Sequence, residues 1–265
     1  MRGTDAGGHS ACPYFQVFVN GKGPFTFLYD TGAAYLTINN TVAEAARTPV
    51  VFDRHGRRDV VQVQQMSLGG VKLSGVWAIR DDENMRAVGV DGVMGFPTLG
   101  KMNVLFDLER REIQVSKTPI PMRRSFALRY ESPLNIPTVP TQIGGRAVPI
   151  LLDTGDDTIG LGLRTVELGD AMLDRPPAAG PTVLNGATRQ QTQIARLKDP
   201  VKLGPFKALH ADISINDDLP VGDFGVAALR QFRFQIEPSK QRIEFEPLFR
   251  GKQFTLSTEP TPAHP

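Results

Sequence analysis

The sequence has little cysteine, tryptophan or histidine: one Cys, one Trp and four His among 265 residues. The single cysteine, Cys12, excludes an intrachain disulfide and a cysteine-based metal cluster. We interpret it as a plain thiol near a loose amino terminus. Because the histidines share no spacing, no metal site is expected, and no cofactor is predicted. A Gly-rich phosphate loop and a Gly-x-Ser-x-Gly nucleophile motif are also missing.

Long apolar runs and strong charge are missing too. No stretch approaches the roughly 18 apolar residues of a membrane span. The net charge of +2 comes from scattered Lys and Arg rather than a basic stripe. We therefore expect no membrane span and no nucleic-acid partner. The start of the chain, 1–9, is polar and lacks the apolar core of a secretion signal. The compartment is unknown, with a secreted or periplasmic one slightly favoured if a signal segment has been removed.

One triplet, Asp-Thr-Gly, is present twice, at Asp30-Thr31-Gly32 and at Asp153-Thr154-Gly155. Each copy follows an apolar run typical of a buried strand. One copy alone is weak evidence, because Asp and Gly are common turn residues. Two copies in similar settings predict two carboxylates that meet in one site.

The repetition extends beyond the triplets. At a shift of 123 residues, the segment before Asp30 matches the segment before Asp153. At a shift of 130 residues, 91–99 lies over 221–229. Between these blocks, Leu-Gly at 68–69 matches Leu-Gly at 203–204. Three blocks in the same order indicate a two-fold internal repeat, with too few copies for a solenoid.

The repeat predicts two lobes of ordinary domain size related by a pseudo-two-fold axis. Their predicted bounds are 12–118 and 124–249, followed by a tail, 250–265, that we expect to be partly disordered. Alternating apolar patterns predict strands at 15–19, 25–29, 60–66 and 71–79. Short helices are predicted at 41–47, 164–173 and 226–232. Trp77 is expected in a lobe core. The predicted fold class is all-β, with two similar β-barrel-like lobes and few helices.

Two adjacent carboxyl groups cannot both ionise easily, so they share one proton. Such a pair can hold a water, with the ionised oxygen taking its proton and the other group donating to a carbonyl. The Thr hydroxyl can brace the opposite loop, and Gly lets backbone donors approach the carboxylate.

The chain thereby resembles the aspartic proteases of the retropepsin/pepsin clan, in a single-chain form with the acid protease fold. Three motifs carry the resemblance: Asp30-Thr31-Gly32-Ala33, Asp153-Thr154-Gly155 and Val93-Met94-Gly95. It implies that Asp30 and Asp153 are the catalytic pair and that Thr31 and Thr154 form a bracing hydrogen-bond lattice. It also implies supporting roles in the catalytic loops for Gly32, Ala33 and Gly155. Ala33 is similar to the retroviral enzymes, whereas pepsin typically has Ser or Thr there.

The family also implies flaps, which are glycine-tipped hairpins that close over an extended peptide. The candidates are 52–59, with His55 and Gly56 at the tip, and 183–188, with Asn185 and Gly186. Neither contains the Tyr of pepsin-like flaps. Ordinary exposed hairpins are the alternative interpretation of both segments.

Two acids depart from the family pattern. Asp156 stands where the family usually has Ala, Ser or Thr. A third carboxylate there would raise a pKa of the pair unless it turns away or meets a cation. Alternatively, Asp156 and Asp157 bind the substrate main chain. Asp223 occupies the first apolar position of the second Gly block. Buried there it needs hydrogen-bond partners, unless the alignment is locally displaced.

The leading expectation is an aspartic endopeptidase that hydrolyses an extended polypeptide through a water between Asp30 and Asp153. Its partner is a polypeptide or peptide substrate, and one chain suffices for a complete site. The alternative is a peptide-binding protein of this fold with little or no hydrolytic activity. A weaker third possibility is a glycoside hydrolase, which also uses paired carboxylates. Symmetric triplets argue against it, because acid and nucleophile there have different environments.

Overall fold

The computed structural model describes residues 12–52, 59–168, 173–185 and 187–257. These residues form an all-β protein of barrel-like lobes, with 21 strands and three short α-helices. The predicted fold class is thus confirmed. The alternating segments form strands because their apolar side chains line one face, which packs into the core.

The first lobe contains nine of the described strands and two of the helices. In chain order they are β1 (Tyr14–Val19), β2 (Lys22–Asp30), β3 (Leu36–Ile38), α1 (Asn40–Ala45), β4 (Val50–Phe52), β5 (Val60–Leu68), β6 (Val71–Arg80), α2 (Asp82–Val88), β7 (Gly92–Gly95), β8 (Asn103–Asp107) and β9 (Glu112–Ser116). Six strands follow one another as β1-β2-β7-β3-β6-β5, and β1 also pairs with β5. This extra pairing closes the barrel, and β4 extends it beyond β5 as a hairpin arm.

The second lobe contains the other twelve described strands and one helix. In chain order they are β10 (Phe126–Arg129), β11 (Thr138–Ile143), β12 (Arg146–Leu152), β13 (Gly162–Leu163), β14 (Ala178–Asn185), β15 (Thr188–Arg196), β16 (Val201–Leu203), β17 (Phe206–Ala208), β18 (Asp212–Ile215), β19 (Gly222–Phe224), α3 (Val226–Leu229), β20 (Phe232–Glu237) and β21 (Arg242–Pro247). Nine of them form one sheet in the order β14-β15-β18-β13-β19-β12-β11-β16-β17.

Strand register matches the internal repeat at both shifts. In the first lobe β2 runs parallel to β7 with Leu28 opposite Val93, and in the second β12 runs parallel to β19 with Leu151 opposite Asp223. Leu151 lies 123 residues after Leu28, and Asp223 lies 130 residues after Val93. The alignment at Asp223 is therefore correct, and the carboxyl does replace an apolar side chain.

The lobes meet in a five-stranded sheet of order β10-β21-β20-β8-β9. Its central pair, β8 and β20, is antiparallel, with Leu105 opposite Gln235. These two residues are equivalent at the shift of 130, so the local two-fold axis passes between them. On one side of it the rings of Phe106 and Phe234 stack with centroids 4.7 Å apart.

The first helix starts earlier than the sequence indicates. The predicted start is Thr41, whereas α1 begins at Asn40 and is capped by Asn39, whose side chain accepts a hydrogen bond from the Val42 N–H (2.8 Å). Asn satisfies a free N–H of the first turn as well as Thr does. α2 is not predicted at all.

The two helices predicted in the second lobe are shorter than expected. Of 164–173, the described residues hold only a 3-10 turn at Thr165–Glu167, and 169–172 lie outside them. The third predicted helix ends at Leu229, because Phe232 already belongs to β20, which pairs with β8 and β21.

The expected place of Trp77 is wrong, whereas Cys12 is a thiol outside any disulfide, as expected. Trp77 is 66% exposed rather than in a core, because its face of β6 is left uncovered. Cys12 is buried, with its Sγ 3.5 Å from the Gly155 carbonyl oxygen, so it contacts the loop of the second triplet. In the tail, Phe254 and Leu256 are buried, and residues 258–265 lie outside the described part.

Candidate active site

Each Asp-Thr-Gly triplet follows a strand buried in its lobe. Asp30 ends β2, and Asp153 comes directly after β12, where its N–H donates to the Phe224 carbonyl (2.9 Å). Since β2 and β12 are related by the pseudo-two-fold axis, the chain delivers the two side chains to one place between the lobes.

The Asp30 and Asp153 carboxyl groups hydrogen-bond each other. Asp30 Oδ1 accepts the N–H groups of Gly32 (2.7 Å) and Ala33 (3.1 Å). Asp153 Oδ1 accepts the N–H of Gly155 (2.7 Å). Burial raises the pKa of both carboxyls, and the negative charge of Asp30 raises the pKa of Asp153 further. Because two adjacent buried carboxyls cannot both ionise easily, the pair retains one shared proton.

The two triplet glycines are required by this close approach. A Cβ on Gly155 would lie 2.5 to 2.8 Å from the carboxyl atoms of Asp30. A Cβ on Gly32 would overlap the carboxyl of Asp153 in the same way. Any larger residue would therefore push the opposite carboxyl out of the pair.

Thr31 and Thr154 join the two loops in a buried lattice, and both are 0% exposed. The Thr31 N–H donates to Thr154 Oγ1 and the Thr154 N–H donates to Thr31 Oγ1, each at 3.1 Å. The Thr154 hydroxyl donates to the Tyr29 carbonyl (2.7 Å), and the Thr31 hydroxyl donates to the Leu152 carbonyl. Each hydroxyl thus serves two backbone groups, which fixes one loop against the other.

The later glycine blocks pack against the loops at equivalent atoms. The Phe96 N–H donates to the Ala33 carbonyl (2.9 Å), and the Val226 N–H donates to the Asp156 carbonyl (2.7 Å). Asp156 is therefore the structural counterpart of Ala33. A Cβ on Gly225 would overlap the loop backbone, which explains why glycine is needed there.

Two further acids lie near the pair. Asp156 is half-buried and accepts the N–H (2.8 Å) and the hydroxyl (2.6 Å) of Thr158. Burial and the charge of Asp153 raise its pKa to about 6. The charges that raise its pKa are those of Asp153 and Asp157. Its neighbour Asp157 is also half-buried.

Asp223 is 2% exposed, and its Oδ1 has no hydrogen-bond partner among the described residues. Burial and the charges of Asp153, Asp156 and Asp30 raise its pKa well above the usual value. Oδ1 therefore lacks the partner that a buried carboxyl oxygen needs among the described residues, and burial favours the neutral form of the group.

The flap candidates differ in how much is described. His55 and Gly56 lie outside the described residues, between β4 and β5, which pair as a hairpin. In the second lobe β14 and β15 form a hairpin with Asn185 exposed opposite Thr188, and Gly186 lies outside the described residues.

One cross-lobe contact at this hairpin is not predicted from the sequence. The Ala187 N–H donates to Asn84 Oδ1 (2.8 Å) on α2 of the first lobe. Asn84 Nδ2 in turn donates to Asp81 (2.6 Å), the cap of that helix. No local pattern reveals the contact, because the two residues are 103 positions apart.

No protein-family model matches this chain, and no curated protein matches it either. Among the described residues, no helix has the length and apolar character needed to cross a membrane. Within the same residues, no group of three or more His, Cys, Asp or Glu side chains is arranged to hold a metal ion.

Proposed function

We propose that the protein is an aspartic endopeptidase of the retropepsin-like type, in which Asp30 and Asp153 activate a water that attacks a peptide bond. The observation that carries the proposal is the hydrogen bond between two carboxyls delivered from equivalent positions of two lobes. The ionised carboxyl of the pair, stabilised by N–H donors of its own loop, takes the water's proton. The other carboxyl, which holds the shared proton, donates it to the carbonyl oxygen.

The lattice of Thr31 and Thr154 supports this chemistry. General acid–base catalysis requires both carboxyls to hold their positions within a fraction of an ångström. Four hydrogen bonds across the loops provide that rigidity without any bound ligand.

The surroundings of the pair favour an extended peptide with apolar side chains. A cavity of about 440 Å³ opens just after the first triplet, lined by Ala34, Tyr35, Trp77 and Pro97 among others. Tyr35 is 59% exposed and Trp77 is 66% exposed, although both are large and aromatic. Exposed apolar surface of this kind marks binding sites more often than plain surface.

A glycosidase is disfavoured by the contact between the carboxyls. Glycoside hydrolases hold their two carboxyls about 5 Å or more apart, to leave room for the sugar or the water. Carboxyls that hydrogen-bond each other leave no such gap.

A peptide-binding protein without hydrolytic activity is the second candidate. It is favoured by the crowding of acids, since Asp156 and Asp223 both oppose ionisation of the pair. If Asp30 and Asp153 together bind a second proton, neither carboxylate is ionised and no general base remains to take the water's proton. On this alternative, Asp156→Ala or Asp223→Val restores cleavage to an otherwise inactive protein.

The test is digestion of a peptide library at pH 3 to 8, with and without pepstatin. We expect cleavage that pepstatin blocks and that Asp30→Asn and Asp153→Asn each reduce at least 1,000-fold. The matched control is Glu44→Gln, which removes an exposed carboxylate on α1 and leaves activity unchanged. Cleavage that survives Asp30→Asn contradicts the proposal.

A further inference from the structure

An aromatic pocket opens on the first lobe, close to the loop of the first triplet. It is the cavity of about 440 Å³ that Tyr35 and Trp77 line, and each of these residues is more than half exposed. Tyr35 follows Asp30 by five residues. Because one residue spans at most about 3.6 Å, the Cα atoms of Asp30 and Tyr35 lie within about 18 Å of each other. The pocket is therefore within reach of a peptide held at the carboxyl pair.

The pocket does not border the carboxyls themselves. Among the described residues, its lining comes entirely from the first lobe and includes none of residues 30–33. A side chain that flanks the cleaved bond has to lie beside the carboxyl pair, so the side chain that enters this pocket comes from farther along the peptide. Because an extended chain advances about 3.3 Å per residue, the place of that side chain is about two to five residues from the cleaved bond.

The chemistry of the lining favours an uncharged side chain with a ring. The described lining consists of aliphatic side chains and a proline, together with Tyr35, Trp77 and Thr98, and none of them carries a charge. An ionised side chain would lose its hydration there without gaining a partner of opposite charge. An aromatic ring, by contrast, makes offset-stacked or edge-to-face contacts with other rings, which stabilise beyond the area that they bury.

The second lobe has an equivalent position, which strand register identifies. In the first lobe β3 runs parallel to β6 with Thr37 opposite Ile79. In the second lobe β13 runs parallel to β18 with Gly162 opposite Ser214. β3 and β13 also pair antiparallel with the strands of the glycine blocks, β7 and β19 respectively. The two arrangements therefore correspond residue by residue.

Two residues before each member of these pairs, the lobes differ in chemistry. Gly160 corresponds to Tyr35, and Asp212 corresponds to Trp77. Glycine has no ring, and Asp212 forms an ion pair with Arg196, whose Nε lies 2.7 Å from a carboxylate oxygen. The second lobe thus has an ion pair at the place where the first lobe exposes an indole ring.

The tail of the chain fills this position of the second lobe. The Asp212 N–H donates to the Leu256 carbonyl (3.3 Å), and a Cβ on Gly160 would lie 3.6 Å from Leu256 Cδ2. Leu256 is buried, and the Ser257 carbonyl oxygen covers Gly160 as well. A polypeptide segment with an apolar side chain therefore occupies this place in one lobe. Among the described residues, the equivalent place in the first lobe is left as a cavity.

We propose that Tyr35 and Trp77 are specificity-determining residues, which bind one aromatic side chain of an extended peptide, about two to five residues from the scissile bond and on one side of it only. The inference rests on the proposed function for the position of the cleaved bond, whereas binding needs no hydrolysis. An extended peptide that crosses the pseudo-two-fold axis meets equivalent positions of the two lobes on the two sides of the bond. On the second-lobe side Leu256 already fills the place, so no aromatic preference arises there.

The test uses the best-cleaved library peptide, with Phe or Ala placed in turn at each position of this range on both sides of the bond. We expect kcat/KM to favour Phe about 10- to 100-fold at a position on one side, which is the range for burying one such side chain. At the equally distant position on the other side we expect no comparable preference.

Substitutions assign the preference to the pocket. Tyr35→Ala and Trp77→Ala are each expected to lower the ratio of the two kcat/KM values, and Trp77→Phe, which keeps a ring, retains part of it. A general loss of structure would slow cleavage of both peptides alike and leave their ratio unchanged. Phe18→Ala is the matched control, because Phe18 is an exposed aromatic residue of the first lobe outside the lining, and it leaves the ratio unchanged.

Binding is measured separately through Trp77, which is the only tryptophan of the chain, so tryptophan emission reports on this pocket alone. The catalytically silent Asp30→Asn protein is titrated with the same peptides, which contain no Trp. We expect the Phe peptide to shift the emission to shorter wavelength in a saturable manner, because the indole ring loses contact with water. The Ala peptide is expected to cause no such shift.

The outcomes separate the two proposals. Cleavage without a one-sided aromatic preference overturns the inference and leaves the proposed function standing. A saturable shift with the Phe peptide alone, without cleavage by the unmodified protein, supports the binding site and overturns the proposed function. A preference that Tyr35→Ala and Trp77→Ala leave intact, or one that is equal on the two sides of the bond, contradicts the inference. Failure of both the shift and cleavage overturns both proposals.

Discussion

We expect Thr→Val substitutions at two buried positions to change the free energy of unfolding by very different amounts, because only one of the two threonines belongs to the hydrogen-bond lattice. Thr154→Val removes the hydroxyl that donates to the Tyr29 carbonyl and accepts the Thr31 N–H. Both backbone groups then stay buried without a partner. Each unsatisfied buried group costs about 1 to 3 kcal/mol, so the free energy of unfolding falls by about 2 to 6 kcal/mol.

The matched control is Thr141→Val in β11. Thr141 is also 0% exposed, but its Oγ1 has no hydrogen-bond partner among the described residues. Because valine has the same shape and no hydroxyl to desolvate, we expect this change to be neutral or to stabilise by up to about 1 kcal/mol.

Urea unfolding followed by circular dichroism measures both values, and equal m-values ensure that the transitions are comparable. Cleavage of the best library peptide is measured on the same samples, and we expect it to fall only in Thr154→Val. The reasoning is refuted if Thr154→Val costs less than about 1 kcal/mol, or if Thr141→Val costs as much.

Three further predictions concern the acids and the glycines. Asp223→Val is expected to raise the free energy of unfolding by about 1 to 3 kcal/mol. Because folding raises the pKa of Asp223, the wild-type protein loses stability as the pH rises towards that raised pKa, so the gain from the substitution is larger at pH 7 than at pH 4. An equal gain at both pH values refutes this prediction. Asp156→Ala is expected to move the alkaline limb of the pH profile of kcat/KM to lower pH. The reason is that the Asp156 carboxylate, with a pKa of about 6, opposes loss of the proton shared by Asp30 and Asp153. An alkaline limb at unchanged pH contradicts this prediction. Gly155→Ala is expected to lower kcat/KM at least 100-fold by displacing Asp30, whereas Gly70→Ala, with nothing within 4 Å, leaves it unchanged; equal rates contradict this.

The sequence predicts the strands around the triplets well, because each segment has an equivalent in the other half of the chain with the same apolar pattern. The offsets of 123 and 130 residues reappear as the register of β2 with β7 and of β12 with β19. Register is strongly specified there, since a slip by one residue would turn the buried side chains outward.

What the sequence does not predict depends on packing between distant segments. Alternation in β6 shows that Trp77 faces one side, but whether that side is covered depends on the other elements. The Asn84 contact with Ala187 joins segments on different lobes, and the burial of Cys12 depends on the loop of the second triplet. In the same way, Asp223 is recognisable as odd from its position, but the lack of a partner is visible only in three dimensions.

The equivalent strands β8 and β20 pair symmetrically about Leu105 and Gln235, and this pairing bears on how the sequences of the two lobes can diverge. An interface in which equivalent residues face each other is the kind that two identical half-length chains form. In such a dimer every substitution is present at two equivalent positions of the shared site. Joining the halves in one polypeptide removes that constraint, so Asp223 can be introduced while Val93 is retained. Covalent linkage thus makes an asymmetric cleft between the lobes accessible to single mutations.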